Sequence, residues 1–125
     1  MTKLHLSNKL IYKVKWTRGR IIDKILARYH IAAITFGYRV FVHTRFWERD
    51  AELYLHELVH VHQVEALGGL RRFLSAYITL FARQYIKTWS WTTAYQNHPF
   101  EVEAYAYWEQ ELIDNFNSWK ELPRG

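Results

Sequence analysis

The order of apolar and polar positions divides the chain into alternating and helically spaced segments. Tyr12-Lys13-Val14-Lys15-Trp16 alternates with a period of two, as a half-buried strand does, and Thr17-Arg18-Gly19 offers a break. Ile21, Ile22, Ile25, Leu26 and Tyr29 then recur at helical spacing, which predicts a short amphipathic helix over residues 20–29 with its basic side chains outward. Ile31 to His43 holds two β-rich runs around Gly37 and predicts a hairpin. Asp50 suits an N-cap, Ala51 opens a helix and Gly68-Gly69 closes it. A second long helix follows over roughly Leu70 to Trp89 and is expected to pack against the first. Farther on, Pro99 suits a first helical position with His98 before it as the cap. These elements predict an α+β fold, predominantly helical, with a small β-hairpin or sheet beside the Ala51 helix, and 125 residues suit a single domain over 1–125.

Composition narrows the chemistry by exclusion. The chain has no cysteine, so disulfides and thiolate metal sites are ruled out and any metal must be held by histidines and carboxylates. An 18% aromatic content argues against disorder. The net charge of +5 is uneven: residues 1–28 carry eight Lys and Arg against one acid, residues 71–88 four against none, and residues 89–125 six acids against two bases. Such a field suits either a solvated basic face or an anionic membrane surface. Nucleic acid is the weaker partner, because the aromatics recur at helical spacing rather than on an exposed basic strand. No signal peptide is evident, and the longest apolar run, Phe73 to Ala82, is shorter than the ~20 residues a membrane span needs. The expectation is a cytoplasmic protein, free or attached to a membrane surface, with no signal for its oligomeric state.

The candidate chemistry lies in Leu55-His56-Glu57-Leu58-Val59-His60-Val61-His62-Gln63. On a helix, His56 and His60 stand one turn apart and can present two imidazoles to one metal ion, while Glu57 stands beside that ion, where a carboxylate can take a proton from metal-bound water. With His56 at zero, His60 falls at about 40°, Gln63 at about 340° and His62 at about 240°, so His62 faces away. A catalytic zinc site needs a third protein ligand. The extended pattern with a third histidine fails, since Gln63 and Ala66 stand where its glycine and histidine would be. In the Pro99 helix, Glu101 shares a face with Tyr105, Trp108 and Leu112, whereas Glu103 lies on the polar face with Gln110 and Asp114. An inward carboxylate must be paired or bound to a metal, so His56, His60 and Glu101 form a candidate ligand set. Glu101 alone has a second explanation, as a first-turn carboxylate favoured by the helix dipole. Tyr95 and His98, near the start of the Glu101 helix, are candidate donors to an oxyanion, and residues 39–43 a candidate strand edge to hold an extended substrate.

These residues resemble the gluzincin group of zinc metallopeptidases, especially small members with His-Glu-Leu-x-His-x-x-Gln. His56, Glu57, Leu58, His60 and Gln63 match that motif, and Glu101, Ala104 and Tyr107 match the Glu-x-x-Ala-x-x-aromatic pattern. The resemblance covers about residues 31–110. It implies a zincin-like domain acting on a peptide or protein substrate, with zinc (Zn2+) on His56, His60 and Glu101 and with Glu57 as general base. Some gluzincins carry an Asp one turn after the ligand Glu to orient a histidine; Tyr105 stands there, so the support must come from another group, Gln63 among the candidates. The rival expectations are a zincin-like protein that binds metal without turnover and a basic binding module.

Overall fold

The structure, a computed structural model, describes residues 6–48 and 50–120. Its framework is a three-stranded sheet laid against one buried helix. Strands β1 (Lys15–Thr17), β2 (Ala33–Phe36) and β3 (Arg39–Val42) stand in the order β1-β3-β2, with β1 parallel and β2 antiparallel to β3. The β2–β3 hairpin turns at Gly37, whose φ of 66° is the left-handed conformation that favours glycine. Its arms match the sequence expectation, but β3 is paired on both sides and therefore cannot be the substrate-binding edge expected at residues 39–43. The free edge on this side is β2.

Helix α1 (Asn8–Lys13) precedes β1, so the stretch predicted as a strand from Tyr12 begins as the end of a helix. Ser7 caps it by accepting from the Leu10 N–H at 3.1 Å. Helix α2 (Arg20–Arg28) lies where the helical spacing placed it, yet buries only Leu26 and leaves Ile21, Ile25 and Tyr29 exposed.

Helix α3 (Ala51–Ala66) is the centre of the molecule. Asp50 caps it through the Leu53 N–H at 3.0 Å, and Gly68 and Gly69 end it with φ of 90° and 137°. Every residue from Tyr54 to Val61 is buried, because the sheet covers one side of α3 and the helix carrying Glu101 another. Tyr54, Leu55, Leu58, Val59 and Val61 join Trp16, Val40, Val42, Phe116 and Trp119 in one core. Full burial of a side chain such as Leu58 is worth about 1.5–3 kcal/mol. The chain returns to this core through α7 (Gln110–Asp114) and α8 (Phe116–Lys120), where the buried Lys120 ammonium donates to the Trp47 carbonyl at 2.9 Å.

Helix α4 (Leu70–Thr88) differs from its expected packing role: among its residues only Phe73 is buried. It leads through Trp89 to α5 (Trp91–Asn97), on which it packs, and then to α6 (Pro99–Ala106). The predicted extension of α6 through Leu112 is interrupted at Tyr107–Glu109, which are not helical. No helix among the described residues is long and apolar enough to cross a membrane.

Candidate metal centre

His56 and His60 lie one turn apart on α3, and both point Nε2 at Glu101 in the first turn of α6. Each Nε2 stands 3.0 Å from Glu101 Oε1, and the two nitrogens are 3.1 Å apart. The three side chains are 9%, 7% and 4% exposed, too little for water to satisfy them. Metal–ligand bonds of about 2.0–2.2 Å in a tetrahedral site space neighbouring ligands by roughly 3.4 Å, so the observed triangle need open by only ~0.4 Å. The group can hold a metal ion, and its two imidazoles and one carboxylate leave a fourth position for water. His62, expected to face away, is outside it.

A surrounding set of hydrogen bonds fixes these groups. Gln63 Nε2 donates to the Phe100 carbonyl at 3.0 Å and to Glu103 Oε1 at 2.9 Å, which leaves Gln63 Oε1 to accept from His60 Nδ1 at 2.8 Å. His60 Nδ1 therefore carries the proton, and in the neutral ring Nε2 offers a lone pair to a metal. Tyr77 on α4 donates to Glu101 Oε2 at 2.7 Å, holding the oxygen that does not face the histidines. Thr35 on β2 donates to Glu57 Oε2 at 2.6 Å, and Glu57 is buried beside the triangle. His56 is the less supported ligand: its Nδ1 has no hydrogen-bond partner among the described residues, and its ring lies 4.3 Å from that of Tyr105.

Burial opposes charge on His60, but the Glu101 hydrogen bond, the Glu57 and Glu101 charges and Gln63 outweigh it and raise the pKa to about 9. Burial likewise opposes charge on Glu101, and the His56, His60 and Tyr77 donors overcome it, holding the carboxyl well below its usual range. In the metal-free protein a proton stands in for the cation.

The triangle opens on a cleft of about 780 Å³ whose lining includes the whole of β2 together with Glu57, Tyr77, Tyr95 and Trp108. Tyr95, on α5, places its hydroxyl 3.3 Å from that of Tyr105 at the mouth. His98 is placed differently from its expected oxyanion role. It is fully buried; Nδ1 accepts from the Phe100 N–H and Nε2–H donates to the Tyr77 carbonyl, so no ring N–H remains for a substrate. Burial lowers its pKa and keeps it neutral in that role.

No family model, characterised protein or solved structure matches this chain. The functional reading therefore rests on the residues themselves. Thr35, Tyr77 and Glu103 had no place in the motif. Thr35 pairs with Val40, and Ala33 with Val42, so one sheet face carries two buried valines and a buried threonine. A hydroxyl on that face needs a partner, and this was the available signal. Tyr77 follows Phe73 by one turn and reads as packing in the sequence.

Proposed function

We propose that this protein is a zinc-dependent hydrolase acting on peptide bonds, a gluzincin-like metallopeptidase. The observation that carries the reading is the convergence of His56, His60 and Glu101 to within 3.1 Å beside the buried Glu57 carboxylate and under a strand edge. His56, His60 and Glu101 would hold the metal, and zinc held by two imidazoles and a carboxylate would supply a Lewis acid and acidify water. Glu57, oriented by Thr35, would be the general base, accepting a proton from the attacking water and returning it to the leaving amine. The free edge of β2 pairs with the main chain of an extended peptide and sets its carbonyl over Glu57. Tyr95 and Tyr105, whose paired hydroxyls line the cleft, are the remaining donors to the developing oxyanion, since His98 and Tyr77 are committed elsewhere.

Metal analysis and peptide-library cleavage on the same preparations test this. Wild type should carry one zinc per chain and cleave; His60→Ala and Glu101→Ala should lose zinc; Glu57→Ala should keep zinc and lose at least about a thousandfold in turnover. Full turnover in Glu57→Ala overturns the mechanism. That His56 Nδ1 has no partner among the described residues favours a second reading, metal binding without turnover, which predicts stoichiometric zinc and no cleavage by wild type.

A further inference from the structure

Two helices beside the cleft carry an apolar stripe that none of the described residues covers. On α4, Leu74, Ile78, Ala82 and Ile86 recur every four residues along the outward face, all of them exposed. Arg72, Arg83 and Lys87 run along the flank of that stripe, likewise exposed. On α2, the exposed Ile21, Ile25 and Tyr29 form the same kind of stripe, flanked by Arg20, Lys24 and Arg28. An amphipathic helix of a globular protein normally turns its apolar face to the core; here the inward faces are supplied by Leu26 and Phe73 and the stripes look outward. A third exposed group stands at the end of α4. Trp89 has φ of 54°, a left-handed conformation uncommon for a bulky residue, and is 75% exposed beside the 68%-exposed Trp91.

We infer that α2, α4 and the Trp89–Trp91 corner dock on an anionic lipid bilayer, lying in its interface with the cleft at the lipid surface. Charge selects this occupant. Residues 66–100 contain four basic side chains and no acidic one, and α2 has three bases against Asp23, which is turned back to accept from the Thr44 N–H at 3.0 Å. A second copy would set these cationic flanks against one another, whereas phosphatidylserine neutralises them while the acyl region takes the stripes. Tryptophan pairs of this kind sit at headgroup level, with the ring body apolar and the indole N–H toward water. Helix α4, with 19 residues, is about 28 Å long and suits lying in the interface rather than crossing it. Each stripe approaches the cleft, that of α4 through Leu74 and that of α2 through His30 and Ile31 just after it, all of which line it. The inference is independent of hydrolysis.

Co-sedimentation with phosphatidylcholine vesicles, with and without about one-third phosphatidylserine, tests it. The full chain should partition onto the anionic vesicles and hardly at all onto the neutral ones. Arg83→Glu/Lys87→Glu should weaken partitioning at least about twentyfold, at roughly fivefold per charge removed and more for reversal. Ile78→Asp/Ile86→Asp and, separately, Ile21→Asp/Ile25→Asp should each abolish it while leaving circular dichroism and zinc content unchanged, since all four side chains are already exposed. Trp89 and Trp91 emission should shift to the blue on binding. Wild type remaining in the supernatant with anionic vesicles overturns the inference, as does unchanged partitioning of the isoleucine variants. So does a lipid-free, concentration-dependent dimer that Ile78→Asp/Ile86→Asp dissociates.

Discussion

At the residue scale the candidate metal centre turns on how one proton is placed. Gln63 uses both amide hydrogens on α6, so only its oxygen can face His60, and that choice fixes the His60 tautomer. Gln63→Leu keeps the volume and removes the constraint; zinc affinity should fall about 10–100-fold in a chelator competition, with the fold unchanged. A metal ion entering this site must also displace the proton that Glu101 holds on His60. Uptake at about pH 7 should release close to one proton, falling toward none above the His60 pKa of about 9, as calorimetry in buffers of differing ionisation enthalpy will read. The same shift has a sign for stability. Because the folded pKa lies above the ordinary value of about 6.5, the metal-free protein has this contribution in full below pH ~6.5 and loses it as pH rises through about 9. His56, His60 and Glu101 were legible in the sequence because helical periodicity puts the two histidines on one face and Glu101 on an inward one. Thr35 and Tyr77 were not, because they reach the site from elements 22 and 24 residues away along the chain, and no local period records such an approach.

At the element scale α6 is a short helix whose position matters more than its own stability. His98 holds both its start and its place: Nδ1 caps the helix at the Phe100 N–H, Nε2–H ties it to the Tyr77 carbonyl on α4, and its ring stacks on Tyr77 at 3.9 Å. His98→Ala therefore loses a cap, a buried hydrogen bond and a packed ring together. Urea unfolding should show a loss of about 2–4 kcal/mol, and a loss below ~1 kcal/mol would show that the latch is dispensable. The caps of α3 and α6 were readable in the sequence, since Asp50, Gly68-Gly69 and His98-Pro99 are local signals. The break after Ala106 was not, because Tyr105, Trp108 and Leu112 continue the helical period across residues that leave the helix. The parallel pairing of β1 with β3 was equally hidden: it joins partners 24 positions apart, such as Trp16 and Val40, and alternation alone gives no partner or direction.

At the scale of the whole molecule, the candidate metal site joins two unequal parts. The core around Tyr54 draws on α1, β1, β3, α3, Ala104 of α6 and the C-terminal helices, and contains no residue of α4 or α5. Those two helices pack mainly on each other, and reach the core side through Phe73, through Tyr77 on Glu101, and through the His98 latch. A cation bound by His56, His60 and Glu101 would fix the Glu101 carboxylate that Tyr77 holds, and so tighten the attachment of α4 without adding to the core. At about a thousandfold excess over its Kd, such a ligand stabilises the folded state by ~4 kcal/mol, but local opening of α4 and α5 should respond before global unfolding. Removing the metal by chelation should therefore speed amide exchange across residues 70–97 while Val40, Val42, Val59 and Val61 keep their protection. Tyr77→Phe should reproduce part of that acceleration in metal-loaded protein, because it cuts the link between α4 and Glu101 and leaves the three ligands in place. Equal acceleration in core and arm would mean that the metal supports the whole fold, and no acceleration in either would mean that α4 and α5 are anchored without it.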